Sequence, residues 1–192
     1  MADDLSDVAT DSSHYKPPEK KTIDEIIRNT QGADESLDKY KDFLLSANDP
    51  ANMYDPSDSR SVILTNISLL VEGVAKISVD LDRNVNMDDL VFRIKEGSQY
   101  QLQLNFYVQR EIVTGLKYIH KVYKHGIPVD KDSFMIGSYA PKKDLQRYAT
   151  PAEDAPSGMV NRGKYKVKSR ITDDYGHDWL TWTWHLEIAK DW

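Results

Sequence analysis

From Gln99 to Gln109 apolar and polar side chains alternate, with Tyr100, Leu102, Leu104, Phe106 and Val108 in one phase and Gln99, Gln101, Gln103, Asn105, Tyr107 and Gln109 in the other. Successive side chains of an extended chain point to opposite faces, so a period of two predicts a strand buried on one side. Comparable runs occur at residues 62–71, 75–81, 90–95, 116–123, 134–139, 165–171 and 182–188, separated by clusters of Gly, Pro, Asn and Asp. Short strands punctuated in this way predict an all-β antiparallel sandwich. The last run carries Trp182, Trp184, Leu186 and Ile188 in one phase. So bulky a face either closes the core or lines a gap between the sheets.

Before Ser61 the pattern is different. Thr22-Ile23-Asp24-Glu25 reads as a capping box, and Ile23, Ile26 and Ile27 make one apolar stripe before Gly32. A second short helix is predicted from Asp34 or Ser36, with Leu37, Tyr40 and Leu44 on one face, ending at Asn48-Asp49-Pro50. Helices this short are marginal alone and need a surface to pack on. The segment 46–61 is rich in Asn, Asp, Pro and Ser, which predicts a loose tether. The expected organisation is a disordered acidic tail at 1–14, a docking arm with a helical hairpin and linker at 15–60, and the sandwich at 61–192.

Charge sharpens this division. Residues 1–55 hold 13 acidic and 6 basic side chains, whereas 56–192 hold 18 and 19. The acidic arm therefore suits a basic or mixed-charge partner, and a pI near 5.4 argues against nonspecific nucleic-acid binding. The chain has no cysteine, which excludes disulfides, thiol catalysis and cysteine-ligated zinc. Met1 to His14 lacks the features of a signal peptide and no apolar run approaches about 18 residues, so a cytoplasmic protein is expected.

Sequence signatures of catalysis are missing. The histidines at 14, 120, 125, 177 and 185 show no metal-binding spacing, and no phosphate-cradling glycine loop or nucleophile elbow occurs. The expectation is no enzyme, no cofactor and no metal. The pairs Asp173-Asp174 and Glu153-Asp154 read as solvated turns. Arg162, Lys164, Lys166, Lys168 and Arg170 recur at every second position, so one strand face should be basic. It is either a solvated face resisting edge pairing or a contact for an anionic surface.

A set of short strings completes the picture: Tyr15-Lys16-Pro17-Pro18, Asp34-Glu35-Ser36-Leu37 with Lys39-Tyr40-Lys41, Lys95-Glu96-Gly97, Arg110-Glu111-Ile112-Val113, Met135-Ile136-Gly137-Ser138-Tyr139, and Lys168-Ser169-Arg170 before Thr172-Asp173-Asp174. In content, order and spacing the chain resembles the Rho GDP-dissociation inhibitor family from Tyr15 to Trp192. The resemblance implies an immunoglobulin-like sandwich that shields the geranylgeranyl tail of a prenylated Rho, Rac or Cdc42-type GTPase. The arm would hold the switch regions and slow GDP release, in a 1:1 complex extracted from membranes, while transient contact to anionic lipid would rest on the basic stripe alone. It further implies GTPase contacts at Tyr15, Pro18, Ile23, Ile26, Asp34, Leu37, Tyr40, Leu44, Asp130 and Asp174. The tail pocket would draw on Leu69, Phe92, Tyr100, Ile112, Phe134, Val160, Trp182 and Trp184.

Three positions depart from the family pattern: Phe134 stands for tyrosine, Ala140 for glycine and Tyr175 for aspartate. The last removes a carboxylate beside the expected GTPase-facing loop. Two other classes share parts of the pattern. A different lipid-tail carrier would have the sandwich without the arm, and a carbohydrate-binding sandwich would carry exposed aromatics in a polar groove.

Overall fold

The computed structural model describes residues 53–81 and 86–192, together with Glu19 and Glu25. The expected tail, arm helices and first part of the linker lie outside these described residues. Ten strands are present among those described: β1 (Val62–Val71), β2 (Ile77–Asp80), β3 (Val91–Lys95), β4 (Gln99–Val108), β5 (Val113–Lys124), β6 (Ile127–Tyr139), β7 (Lys142–Ala149), β8 (Glu153–Asp154), β9 (Gly163–Thr172) and β10 (Asp178–Ala189). One sheet runs β2-β1-β4-β7 with β8 also on β4, and the other runs β3-β10-β9-β5-β6. The inner faces of the two sheets meet in one apolar core, which makes the β-sandwich that the alternation predicts.

Local chemistry explains the register. In β1 the inward residues are Val62 and Leu64, then Ile67, Leu69 and Val71, a change of phase that simple alternation would not allow. A bulge between Leu64 and Asn66 inserts the extra residue and keeps all five in the core. At the β5–β6 hairpin, His125 and Gly126 have φ of 51° and 81° between the paired Lys124 and Ile127. Both central residues in the left-handed region make the tight primed turn whose twist matches the strands it joins.

The structure departs from the antiparallel expectation at one pair, since β3 lies parallel to β10. Six strands separate the two along the chain, so no tight turn sets their relative direction. Strands β7 and β8 are also additions to the sequence reading. β7 is mostly exposed and joins the sheet through its backbone on β4, so it needs no apolar phase to reveal it. β8 pairs Glu153 with Tyr100 and Asp154 with Gln99, which corrects the expectation of a turn there.

Candidate functional site

A cavity of about 510 Å³ opens between the two sheets, within the range of small-molecule and lipid sites. Its walls follow from strand alternation. Tyr100 and Leu102 of β4 form one side, while Val122 of β5, Tyr165 and Val167 of β9, and Trp184, Leu186 and Ile188 of β10 form the other. The mouth is acidic, with Asp130 and Asp132 of β6 facing Glu153 and Asp154 of β8. Lys124 also reaches this end, but its ammonium donates to the carbonyls of Val160 and Arg162.

Trp184 is both wall and anchor. Its indole N–H donates to Ser169 Oγ at 2.9 Å, Ser169 in turn bonds the Tyr118 hydroxyl at 2.9 Å, and Phe92 meets the indole edge-on at 5.6 Å. From Tyr118 the aromatic cluster continues to Trp182 at 5.9 Å and Phe134 at 6.2 Å. The rings thus make a packed floor next to open space, and satisfying the Trp184 donor lets the indole stay there without an unpaired polar group.

The polar side chains of the mouth are tuned by burial. The Tyr100 hydroxyl donates to Glu153 Oε2 at 2.9 Å. Desolvation raises the Glu153 pKa and the Asp132 and Asp130 carboxylates raise it further, against the lowering effect of the Tyr100 bond. Burial likewise raises the pKa of Tyr100, with the neighbouring Glu153 adding to it. His120 is pushed down by burial, with Asp132 and Asp130 acting in the opposite direction. Its Nε2 lies 3.8 Å from Asp132 Oδ2, beyond hydrogen-bonding distance. His120, Asp132 and Glu153 hold ligand-type atoms within 4.8 Å of one another and are the residues here that could coordinate a cation.

Among residues expected to form the tail pocket, Tyr100 and Trp184 border the open volume. Phe92, Trp182 and Phe134 reach it through the ring cluster, and Leu69 is fully buried in β1. Ile112 is half-buried between β4 and β5, and Val160 is exposed on the loop before β9, where its carbonyl meets Lys124. Leu102, Val122, Val167 and the trio His120, Asp132 and Glu153 are lining residues that the sequence reading did not assign to the pocket, while Leu186 stood only on the bulky face of the last strand. The alternation places Leu102 and Leu186 beside named neighbours, but only the pairing of strands from opposite sheets brings them to one space.

Of the expected GTPase contacts, Tyr15, Pro18, Ile23, Ile26, Asp34, Leu37, Tyr40 and Leu44 lie outside the described residues. Asp130 is exposed at the cavity mouth, whereas Asp174 pairs with Lys117 at 2.9 Å and is largely covered. Gly115, with φ of 62°, leaves the space that the Asp174 carboxylate fills, since a Cβ there would overlap it. Asp130 lies across from Val122 and Asp174 beside Thr114, so about 26 Å of β5 separates them. Asp173 is buried and accepts from the Tyr175 and His177 backbone N–H groups at 2.9 and 3.0 Å. This turn is therefore built around its carboxylates, which corrects the solvated reading.

The fold and cavity can be set beside known proteins. The family model for RHO protein GDP dissociation inhibitors matches residues 2–191. The chain is 45% identical over 184 residues to the probable rho GDP-dissociation inhibitor of Caenorhabditis elegans, covering 95% of each. It is 41% identical to Rho GDP-dissociation inhibitor 1 of Homo sapiens, over 94% of this chain and 88% of that one. Rho GDP-dissociation inhibitor 3 of Mus musculus is 40% identical over 93% of this chain and 78% of its own length. The chain belongs to the RHO protein GDP dissociation inhibitor family, a family of regulators rather than enzymes.

Proposed function

We propose that this protein binds prenylated Rho-family GTPases in the cytoplasm, holding the lipid tail in the cavity between the sheets while the arm grips the switch regions. The observation that carries the reading is the apolar cavity itself, walled by Trp184, Leu186, Val167 and Leu102 and rimmed by carboxylates. Aromatic and branched side chains suit a long, methyl-branched apolar guest, and Asp130, Asp132, Glu153 and Asp154 at the mouth suit a cationic segment leading into it.

Removing a geranylgeranyl tail of about 20 carbons from water is worth on the order of 10 kcal/mol or more. A bilayer offers nearly the same burial. Extraction therefore needs further protein contacts, and the residues from Tyr15 to Leu44 supply them as a second, effectively intramolecular binding event. Contacts that favour the GDP-bound conformation must tighten nucleotide retention by the same factor, so inhibition of release follows from linkage. The stoichiometry proposed is 1:1.

A direct test compares prenylated and unprenylated forms of one Rho-family GTPase on vesicles. The protein is expected to move the prenylated form into the supernatant, slow its GDP release and bind the unprenylated form far more weakly. Equal affinity for the two forms would remove the tail-binding role from the cavity.

A further inference from the structure

The basic stripe on β9 divides into three parts. At one end Arg162 is held by Glu96 through bonds of 3.0 and 2.6 Å, and at the other Arg170 pairs with Asp178. Between them Lys164, Lys166 and Lys168 line a groove of about 370 Å³ on the outer face, completed by Tyr123, His125 and His185. Among the described residues no carboxylate lines it, although Glu187 lies directly across from Lys164. Register explains the crowding, because Lys166 lies directly across from Tyr123 on one side and from His185 on the other, and Lys168 lies across from Lys121. Lys168 and Lys121 set like charges directly opposite one another, and that pair is costly for the fold by itself.

Two further features point to a ligand. Tyr123 is 6% exposed, and its hydroxyl is buried without a hydrogen-bond partner among the described residues. His185 Nδ1 is in the same condition. Unpaired buried polar atoms are rare enough to require a cause, and here two of them belong to one cationic groove. The Lys121 and Lys168 ammonium groups lie 5.3 and 5.4 Å from the centre of the Tyr123 ring, bringing positive charge around that phenol. Burial, then Lys164 and Lys166, hold the His185 pKa below its ordinary value, against the opposing effect of a backbone bond to Asp88 and of the Asp88 carboxylate, and a bound anion would offset the lowering further.

We propose that this groove binds the phosphomonoester headgroup of an anionic membrane lipid. A phosphomonoester brings close to two negative charges and three acceptor oxygens, enough to engage several ammonium groups and accept from the Tyr123 hydroxyl together. A serine headgroup carries its own ammonium, which would meet Lys164 and Lys166 unfavourably. Exposed Lys164 and Lys166 on a strand face can meet a flat surface. The neighbouring residues Tyr165, Val167, Trp184 and Leu186 point inward to the cavity, so groove and cavity can be occupied at the same time. The lipid source of the phosphate rests on the membrane-extraction reading above; the anion site does not.

The test is sedimentation of the full chain, without GTPase, on phosphatidylcholine vesicles containing phosphatidic acid or, at matched surface charge, phosphatidylserine. Stronger binding to phosphatidic acid is expected, and the Lys164→Gln/Lys166→Gln double variant should weaken it about 30-fold. Tyr123→Phe should weaken it to a smaller extent, and glycerol 3-phosphate should compete while shifting the His185 ring resonances. Melting curves check that each variant is folded. Equal binding to both lipids, or no effect of the lysine pair in a folded variant, would overturn the site. Binding of glycerol 3-phosphate or a phosphoserine peptide without vesicle binding would overturn the lipid source. Extraction of prenylated GTPase, assayed separately, reports on the earlier reading alone.

Discussion

Glu153 shows how one side chain can be costly for the fold and useful for the site. Its pKa is raised by burial and then by Asp132 and Asp130. A raised carboxylate pKa stabilises the fold fully below the ordinary value of 4.5, and that contribution is lost as pH rises through the folded value. Glu153→Gln keeps an acceptor for the Tyr100 hydroxyl and removes the charge. The variant should therefore melt higher than wild type at pH 7.5, with the difference shrinking as pH falls to about 4. A constant difference across that range would show that the carboxylate charge is not what strains the mouth. Nothing in the string Pro151-Ala152-Glu153-Asp154 signals such a role. It comes from Tyr100 on β4 and the β6 carboxylates, brought near only after two sheets have packed.

Among the elements, legibility in the sequence follows how each strand is buried. β4 and β10 face the core on one side, so their period of two is plain and their residues Tyr100 and Trp184 could be singled out. β7 is an exposed edge held by backbone bonds, and nothing in its side chains announces it. The segment before β1 is another case. Its Asn, Asp, Pro and Ser content reads as loose linker, yet Tyr54 stacks on Tyr107 at 3.8 Å and the buried Gln109 amide lies within bonding distance of the Asp55, Asp58 and Arg60 carbonyls. One glutamine beyond the end of β4 thus fastens residues 55–60 to the sandwich. Gln109→Ala should cost about 1–3 kcal/mol. It should also open a protease site within 53–60 that wild type lacks, with wild-type cleavage falling before Met53. Unchanged cleavage would mean that the stacked tyrosines alone suffice.

At the scale of the whole molecule, the two sheets are coupled less by direct packing around the cavity than they are elsewhere in the core. A guest that fills the space touches Tyr100 and Leu102 from one sheet and Val122, Val167 and Trp184 from the other, and so should stabilise the sandwich as a unit. A ligand binding only the folded state adds RT ln(1 + [L]/Kd), about 2.7 kcal/mol at 100-fold excess over Kd. Trp184 is an ambiguous probe of this coupling. It is 4% exposed and bonded to Ser169, so its alanine variant would lose about 3–5 kcal/mol as any core tryptophan does, whatever the cavity binds. Val122 is better placed, being half-buried, beside open space and opposite Val167. Val122→Phe adds volume where there is room, so the free variant should melt close to wild type, while prenylated GTPase should raise its melting temperature much less. The same variant should bind unprenylated GTPase as wild type does, because that interaction leaves the cavity empty. If Val122→Phe keeps the full ligand-induced rise in melting temperature, the tail lies elsewhere and the cavity between the sheets is not its site.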